Sequence, residues 1–353
     1  MLLEDILKNF GLNPAHYQVQ PFGPGLINHT YKVSGRDEAY ILQQINTNVF
    51  KSPQAIADNL SAIQKYFARH YPDYLFAGPI PSVSGDFLVQ SIGGDYYRLF
   101  PFIKNSHTVN YVSNAKEAFE AAKQFGRFTY LLNDFDADSL KTTLSDFHNL
   151  PLRVEQFETA LQKANKERLS QALTEINEIH RHRNILEDYK NLIANKEIPL
   201  RVIHHDTKIS NVLFDDQKNG LCVIDLDTVM PGYFFSDVGD MMRTYLSAAN
   251  EEEVDLSAIS IREEIFNAVC KGYLSEMGRV LTAKEKQWFI YSGEFMIYMQ
   301  AIRFLADYLN NDSYYGAKYN GHNLNRAKNQ LRLLNEYIAA KEKFKQLLAL
   351  AEK

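Results

Sequence analysis

The stretch that decides the fold reads Arg201-Val-Ile-His-His-Asp-Thr-Lys-Ile-Ser-Asn-Val-Leu-Phe214. Short apolar runs flank its polar centre, and a turn that contains Asn219-Gly220 separates it from a further apolar run ending at Asp225. Two such runs joined by an Asn-Gly turn predict a β-hairpin. Because the open end of a hairpin brings its outermost residues together, we expect Asn211 and Asp225 to lie side by side.

The polar residues of this stretch match the H-x-D-x-x-x-x-N spacing of kinase catalytic loops through His204, Asp206 and Asn211. An amide oxygen and a carboxylate suit Mg²⁺, which keeps several waters and also binds substrate phosphates. Phosphoryl transfer further needs an acceptor for the hydroxyl proton. We therefore predict Asp206 as the catalytic base and Asn211 and Asp225 as metal ligands, while Asp227 is a candidate either for the metal or for a structural hydrogen bond. His204 is expected to pack and hydrogen-bond the loop.

Three other interpretations compete with this one. Asp206, Asn211 and Asp225 are each common in turns and caps, and only their joint spacing and residue types favour catalysis. A hydrolase of the desulfatase kind would use His204-His205-Asp206 as transition-metal ligands, but it lacks a third spaced ligand group and leaves Asn211 and Asp225 without a role. The presence of Asp206, Asn211 and Asp225 argues against a nucleotide-binding module without activity.

The chain changes character near residue 104. Before it, short apolar or alternating runs between Gly, Pro and Asp turn signals predict a small antiparallel sheet and one helix. After it, apolar residues at three- and four-residue spacing predict a mainly helical region. The predicted strands are Val19–Phe22, Thr30–Val33, Tyr40–Ile45, Phe87–Ile92 and Tyr96–Phe100, and the predicted helices include Ser52–Arg69, Ala118–Leu132, Val154–Leu161, Leu169–Leu192, Glu285–Leu309 and Asn323–Leu350.

At 353 residues the chain is longer than one hydrophobic core usually grows, so two lobes with a cleft between them are expected. We predict an α+β, two-lobed, protein-kinase-like fold. Residues 1–104 would form an N-terminal nucleotide-binding lobe that ends in a hinge. Residues 105–353 would form a larger, mainly helical C-terminal lobe that carries the catalytic hairpin and the acceptor site.

Composition and charge narrow the class of partner and the compartment. The net charge of −5 and the scattered Lys and Arg residues provide no basic stripe, so neither nucleic acid nor a membrane surface is expected as a partner. Cys222 and Cys270 lie in apolar runs typical of buried, reduced thiols. Without a signal peptide or a long apolar span, we predict a cytoplasmic protein with no obligate protein partner. The charged runs His180–Arg183 and Glu251–Glu253 are interpreted as solvated faces.

Two segments are much more specific than the general kinase pattern, namely His205-Asp-Thr-Lys208 and Ile224-Asp-Leu-Asp-Thr-Val-Met-Pro-Gly232. With the other matching segments they resemble the aminoglycoside phosphotransferase and choline kinase superfamily and, within it, the N-acetylhexosamine 1-kinases. The other segments are Gly25-Leu-Ile-Asn-His-Thr-Tyr31, Tyr40-Ile-Leu-Gln-Gln-Ile-Asn46, Arg98-Leu-Phe-Pro-Phe-Ile103, Asp146-Phe-His148, Asp237-Val-Gly-Asp240 and Arg303-Phe-Leu-Ala-Asp-Tyr-Leu309, followed by Tyr314.

The resemblance implies a reaction and two cofactors. ATP, with Mg²⁺, would donate its γ-phosphoryl group to the anomeric hydroxyl of N-acetylglucosamine or N-acetylgalactosamine, and the product would be the sugar 1-phosphate. Asp206 would orient and deprotonate that hydroxyl, and the family's sugar-contacting Arg and Tyr correspond to Arg303 and Tyr314. From the residues alone, Arg303 is a cation in an apolar aromatic helix and needs a partner, which is either this ligand or an ion pair with Asp307.

The resemblance also implies a set of nucleotide contacts. A loop at Gly23-Pro24-Gly25 would cover the nucleotide, while from the residues alone a plain turn between strands is the alternative. The backbone of Arg98–Ile103 would pair with the adenine edge. Gln43 replaces the phosphate-binding Lys of protein kinases, so Mg²⁺ and Lys208 would neutralise more of the phosphate charge. The predicted cofactor-binding residues are Gly25, Gln43, Arg98, Phe100, Phe102 and Lys208.

One departure from the family concerns the acceptor. A sugar-contacting His of the family falls at Leu26, which removes a donor and leaves the preference between hexosamines open. A kinase for another small hydroxylated metabolite, of the aminoglycoside, choline or homoserine type, is the nearest alternative.

The segment Phe235–Asp240 is expected to brace the catalytic loop and to cap the next helix through Asp237 or Asp240.

Overall fold

The protein, seen here in a computed structural model, is described over residues 2–23 and 27–351. Within that part of the chain, five antiparallel strands form a sheet in the order β1-β2-β3-β5-β4. The strands are β1 (Gln18–Pro21), β2 (His29–Ser34), β3 (Ala39–Gln44), β4 (Val89–Gln90) and β5 (Tyr96–Pro101). The small antiparallel sheet predicted from the turn signals is therefore confirmed.

Alternation along the central strands gives this sheet two different faces. Leu42 and Leu99 are fully buried and form one apolar cluster with residues of α1 (Leu2–Asn9), a helix that the sequence analysis did not predict. Successive side chains of a strand point to opposite faces. Gln43 and Arg98, which pair across β3 and β5, therefore point away from α1.

Helices make up most of the remaining chain. They are α2 (Pro53–His70), α3 (Ala115–Leu131), α4 (Leu150–Lys163), α5 (Lys166–Gln171), α6 (Leu173–Arg181), α7 (Asn184–Ala194), α8 (Phe234–Tyr245), α9 (Glu263–Met277), α10 (Ala283–Gln287), α11 (Tyr291–Leu309), α12 (His322–Ala339) and α13 (Lys341–Ala351). The α+β class with a large helical part is as predicted. Three predicted helices, Leu169–Leu192, Glu285–Leu309 and Asn323–Leu350, are each divided into shorter helices. A capping box between Thr282 and Glu285 marks the start of α10.

The helical part is built around α11. Every residue of this helix except Arg303 is buried. It packs against α4, α8 and α12, and the contact with α8 is so close that a Cβ atom at Gly239 would lie 2.2 Å from the carbonyl oxygen of Ser292. Only glycine allows that approach. The spacing between α8 and α11 therefore depends on Gly239.

Two short antiparallel pairs interrupt the helices, and the pair formed by residues 212–214 and 220–223 is the predicted hairpin. β6 (Arg201–Ile203) pairs with β9 (Met230–Gly232), and β7 (Val212–Phe214) pairs with β8 (Gly220–Val223). The segment after the five-stranded sheet fastens the second pair, because the backbones of His107 and Phe214 exchange two hydrogen bonds of 2.9 and 2.8 Å. The hairpin is thus fixed to the connection between the sheet and the helices.

Two further observations concern composition. Cys222 and Cys270 are both buried and free of disulfides, as expected. Across residues 2–23 and 27–351, no helix has the length and apolar character that crossing a lipid bilayer requires.

Candidate active site

Two carboxylates of α8 hold the catalytic loop in place. Asp237 accepts hydrogen bonds from the backbone amides of His204 and His205 at 2.9 and 2.7 Å, and Asp240 accepts one from the amide of Thr207 at 2.9 Å. His205 has a left-handed backbone (φ 67°), so the loop turns sharply just before Asp206. The predicted bracing is present. The predicted helix cap is not, because both carboxylates lie inside α8, beyond its cap residue Tyr233.

His204 has a structural position in the loop. Its Nε2 atom lies 2.9 Å from the carbonyl oxygen of Ile224, and its Nδ1 atom accepts a hydrogen bond of 3.3 Å from the amide of Asp206. The ring stands edge-on to Phe125 at 5.1 Å between ring centroids. Burial lowers the pKa of His204 despite the nearby charge of Asp206. A neutral imidazole with a proton on Nε2 therefore joins the loop to the end of β8.

The Asp206 carboxylate is held from two sides. Asn211 donates to its Oδ2 atom at 3.1 Å and to its backbone oxygen at 2.9 Å, while the Lys208 ammonium lies 3.2 Å from Oδ1. Burial alone would raise the pKa of Asp206, but the charge of Lys208 and the hydrogen bonds from Lys208 and Asn211 outweigh it and lower the pKa. Asp206 is consequently an oriented carboxylate, ionised at neutral pH.

Asp225 has the opposite character. It lies two residues beyond β8 in a left-handed conformation (φ 59°, ψ 60°), and the amide of Ile224 donates to the carbonyl oxygen of Asn211 at 2.9 Å, which sets Asp225 beside Asn211. Among the described residues, none donates a hydrogen bond to its carboxylate or pairs with it. Partial removal from water and the nearby carboxylates of Asp227 and Asp206 raise the pKa of Asp225 to about 7. An uncompensated carboxylate of this kind favours a bound cation.

Asn211 and Asp225 offer the donor set that a magnesium ion takes. The Asn211 amide nitrogen is used by Asp206, whereas its oxygen receives no hydrogen bond from the part of the chain that is described. Over residues 2–23 and 27–351 there is no group of three or more His, Cys, Asp or Glu side chains arranged to hold a metal ion. Mg²⁺ usually binds one or two protein oxygens together with waters and substrate phosphates, so Asn211 and Asp225 could supply its protein ligands.

Asp227 is engaged elsewhere. Its carboxylate is 2% exposed, forms an ion pair with Arg98 through Oδ1 and accepts a hydrogen bond of 2.7 Å from Asn28 through Oδ2. The Arg98 guanidinium also donates twice to the Gln43 side-chain oxygen, at 3.1 and 2.9 Å. The structure thus brings two predicted nucleotide contacts and one predicted metal ligand into a single buried cluster.

The predicted adenine-binding stretch lies at the end of β5. The Phe102 ring stands edge-on to Phe22 at 6.0 Å, with the Lys32 ammonium 3.8 Å from its centroid. Phe100 lies against the Arg98 guanidinium at 5.0 Å. The Phe102 amide donates to the carbonyl oxygen of Ala39 at 3.1 Å, so part of this backbone is engaged inside the protein. The predicted contact Gly25 and the departure from the family at Leu26 both lie outside the described residues.

Arg303 and Tyr314 are brought together on the other side of the catalytic loop. The guanidinium lies 5.9 Å from the ring centroid of Tyr314, 5.5 Å from that of Tyr315 and 6.0 Å from that of Phe147. It donates to Gln300 at 3.3 Å. These contacts group the aromatic rings around one cation.

Arg303 has no acidic partner within 4.0 Å among the described residues. The alternative in which Asp307 pairs with Arg303 is wrong, because the Asp307 carboxylate accepts hydrogen bonds from the amides of Tyr314 and Tyr315 at 2.8 and 2.9 Å and from Asn323 at 3.1 Å. Asp307 therefore holds the loop that carries the two tyrosines. The guanidinium is left available for a ligand.

Two groups near this site were not identified from the sequence. Phe147 stacks on His148 at 4.4 Å, and the His148 ring lies 5.5 Å from that of His205. The segment Asp146–His148 was recognised as a matching segment but received no role. The segment lies beside Arg303 and beside His205, the residue just before Asp206. This position depends on the packing of segments that are distant in the chain, so no local sequence pattern predicts it.

The second group is an ion-pair network next to Lys208. Arg243 pairs with Asp240 at 3.0 Å and with Glu251 at 2.9 Å, and Arg326 pairs with the same Glu251 carboxylate. Although burial opposes it, the charge of Arg243, followed by that of Arg326, lowers the pKa of Glu251 to about 2. The interpretation of Glu251 as part of a solvated face is wrong. The sequence around Glu251 could not show this, because the two cations that pair with it lie on other helices.

Solved structures with the same arrangement of elements support the fold. A spectinomycin phosphotransferase in complex with ADP and spectinomycin is 13% identical, with a TM-score of 0.60, and the alignment covers 96% of this chain and 98% of that one. A microcompartment-associated aminopropanol kinase is 15% identical, with a TM-score of 0.61 and 97% of each chain covered. A choline kinase from Cryptosporidium parvum Iowa II is 16% identical, with a TM-score of 0.57 and 99% of each chain covered. At these identities the likeness is one of fold.

The sequence itself carries the assignment to a family. Residues 18–267 match the profile described as the phosphotransferase enzyme family. This range includes the sheet, the catalytic loop and the hairpin with Asp225. Because the match spans more than half of the 353 residues, the protein belongs to the phosphotransferase enzyme family and is a phosphotransferase.

Proposed function

We propose that the protein is an ATP- and Mg²⁺-dependent kinase that phosphorylates the anomeric hydroxyl of an N-acetylhexosamine, either N-acetylglucosamine or N-acetylgalactosamine. The product would be the sugar 1-phosphate. The observation that carries the choice of acceptor is the Arg303 guanidinium, which faces three aromatic rings and has no carboxylate partner in the described structure.

In this proposal Asp206 is the catalytic base. Its ionised carboxylate accepts the hydroxyl proton of the acceptor as the oxygen attacks the γ-phosphorus of ATP. Asn211 and Lys208 keep both carboxylate oxygens oriented, so the base is positioned before the substrates bind. Asn211 and Asp225 would hold Mg²⁺, which when bound neutralises charge on the ATP phosphates.

The nucleotide would lie between the sheet and the catalytic loop. The exposed part of the Phe102 ring offers an apolar surface for adenine, with Phe100 and the backbone of the same stretch next to it. Gly25 belongs to the loop proposed to cover the phosphates. Gln43, Arg98 and Lys208 complete the proposed set, and Lys208 is the cation that lies beside the base.

The acceptor side favours a neutral polar molecule over a cationic one. Arg303 supplies hydrogen-bond donors that suit hydroxyl and acetamide oxygens, and the aromatic rings suit the apolar faces of a sugar. A choline or a polycationic aminoglycoside would place its charge next to an unpaired guanidinium. Proposed direct contacts to the sugar are Arg303, Tyr314 and Asp206.

Two alternatives to this proposal differ in the support they have. Proteins of the same fold include a spectinomycin phosphotransferase and a choline kinase, so a kinase for another hydroxylated metabolite is the second candidate. The hydrolase interpretation loses support because both ring nitrogens of His204 are engaged within the loop.

The experiment that tests the proposal is phosphate transfer from ATP to a panel of N-acetylhexosamines, choline, aminopropanol and spectinomycin, with and without Mg²⁺. Phosphorus NMR of the product distinguishes an anomeric phosphate from one on O6. Transfer to an N-acetylhexosamine at the anomeric oxygen is the expected result. Transfer to choline and to no hexosamine would overturn the choice of acceptor, and ester hydrolysis without ATP would overturn kinase activity.

A further inference from the structure

Three side chains join the five-stranded sheet to the hairpin of the helical part. Asn28, Arg98 and Asp227 are 8%, 3% and 2% exposed, and they come from the start of β2, from β5 and from the turn after β8. We call these three residues the interlobe clamp. Their burial is unusual for polar and charged residues and requires that each be partnered.

The contacts of the clamp use both oxygens of one carboxylate. Asp227 forms an ion pair with Arg98 through Oδ1 and accepts the Asn28 amide at 2.7 Å through Oδ2. The Asn28 side-chain oxygen accepts a hydrogen bond of 3.0 Å from the amide of Asn46, just after β3. Asp227 is therefore tied to the sheet at two points, only two residues beyond Asp225.

The clamp also supplies a positive charge next to β3, which has no Lys at the position where protein kinases carry a phosphate-binding Lys. Gln43 occupies the place where a phosphate-binding Lys was sought in the sequence, and its side-chain oxygen accepts two hydrogen bonds from Arg98 at 3.1 and 2.9 Å. The strand register explains this contact, because Gln43 lies directly opposite Arg98. The positive charge at this point of the sheet thus comes from the neighbouring strand.

We propose that the interlobe clamp is a positioning device for the nucleotide site. It holds the turn that carries Asp225 against the sheet, so that the proposed metal ligands and the nucleotide-facing strands are aligned before the nucleotide binds. Asp227 then acts through Arg98 and Asn28 and is not a direct metal ligand. This inference rests on the proposed function only in taking the ligand to be a magnesium–nucleotide complex.

The physical reason is the cost of separating the pair. A charge left in a buried position without its partner is strongly unfavourable, so removal of either partner forces the turn or the strand to move until water reaches the charge. Such a movement shifts Asp225 relative to Gln43. Nucleotide binding is then weakened even though Asp227 itself does not touch the nucleotide.

The test is a double-mutant cycle read out by MgADP binding, in calorimetry, with thermal unfolding measured in parallel. Asp227→Asn, Arg98→Gln and the double variant are compared with the wild-type protein. The matched control is Glu285→Gln, which removes the carboxylate of a second buried pair, in which Arg201, at the start of β6, contacts Glu285 of α10 at 2.7 and 2.8 Å. The two pairs are comparably buried.

We expect Asp227→Asn and Arg98→Gln each to weaken MgADP binding by about tenfold or more, and the double variant to be no weaker than the worse single variant. Glu285→Gln should lower the unfolding temperature while MgADP affinity stays within about twofold. Equal losses of MgADP affinity in Glu285→Gln and Asp227→Asn would mean that the clamp is only structural.

A direct metal role for Asp227 gives a different pattern. Asp227→Asn would then weaken binding of MgADP but not of ADP without Mg²⁺. That result overturns the clamp. Absence of MgADP binding by the wild-type protein would overturn the proposed function itself, whereas wild-type binding with unchanged variants would overturn the clamp alone.

If the charge variants do not fold, Asn28→Ala provides a second test of the clamp. It leaves the ion pair between Arg98 and Asp227 intact and removes only the bonds of Asn28 to Asp227 and Asn46. We expect a fewfold loss of MgADP affinity with little change in unfolding temperature. Unchanged affinity in a folded Asn28→Ala protein would contradict the proposal.

Discussion

Glu117 provides a test of how the catalytic hairpin is anchored. Near the start of α3, its carboxylate accepts hydrogen bonds from the amide and hydroxyl of Ser113 at 2.9 and 2.6 Å and pairs with Lys218 at 2.8 Å. Lys218 lies in the turn between β7 and β8. The perturbation is Glu117→Gln, which removes the charge and keeps the size and part of the hydrogen bonding.

The magnitude follows from the ionisation of Glu117. Burial alone would raise its pKa, but the hydrogen bonds from Lys218 and Ser113 outweigh burial and lower the pKa from 4.5 to about 2. At ~1.4 kcal/mol for each pKa unit, the upper limit is ~3 kcal/mol of stability. Because half of the Lys218 side chain is exposed to solvent and Gln still accepts hydrogen bonds, we expect about 2 kcal/mol.

The sign of the pH dependence is determined by the lowered pKa. A carboxyl group that is more acidic in the folded protein stabilises it above the unfolded pKa, and this stability is lost as the pH falls from about 4.5 towards about 2. The wild-type protein should therefore exceed Glu117→Gln in stability at pH 7, and the difference should shrink below pH 4.5.

The assay is urea unfolding followed by the fluorescence of Trp288, the single tryptophan, which lies in the same helical part as Glu117. The control is Glu342→Gln, since Glu342 forms only an exposed pair with Lys345. We expect no pH-dependent difference for the control. A difference between wild type and Glu117→Gln that is the same at pH 7 and pH 3 would refute the reasoning.

Three further predictions concern the site and its support. Asp206→Asn should lower turnover by about a thousandfold or more, because the proton acceptor is lost, while MgADP affinity measured by calorimetry changes by no more than a fewfold; unchanged turnover would remove Asp206 from its role. Arg303→Ala should raise the KM for the acceptor by about tenfold or more and leave the KM for ATP unchanged in steady-state kinetics, and Arg303→Lys should recover only part of the loss; a matching rise in both KM values would argue against an acceptor contact. Gly239→Ala should lower stability by about 2 kcal/mol or more in thermal unfolding, because its Cβ would meet the Ser292 carbonyl oxygen at 2.2 Å, whereas Gly93→Ala, whose Cβ would meet its nearest atom at 3.7 Å, should unfold like the wild type.

Much of the local structure was predictable because it depends on neighbouring residues. Alternating apolar residues between turn signals identified the strands of the sheet, and helical spacing identified α3, α4 and α11. The Asn219-Gly220 turn identified the hairpin. Its pairing of Val212 with Val223, and the bond between Ile224 and Asn211, bring Asn211 and Asp225 together as the pattern indicated.

Other local features were missed where tertiary packing overrides the pattern. The helix α1 was not predicted, although its apolar residues close one face of the sheet. The breaks between α5, α6 and α7 interrupt a continuous helical periodicity. Glu251 was interpreted as solvated, because the sequence does not show that Arg243 and Arg326 converge on it.

The sequence alone is sufficient to predict the class of fold and to propose a chemistry for the catalytic loop. Asp206, Asn211 and Asp225 are recognisable because their spacing is set by one loop and one hairpin, within some twenty residues of chain. The partners of charges that are far apart in the chain depend on the tertiary structure. Asn28 meets Asp227 across 199 residues, and over residues 2–23 and 27–351 Arg303 has no carboxylate partner because Asp307 is used by the loop after α11. Such pairings depend on how the whole core packs, and no short-range pattern records them.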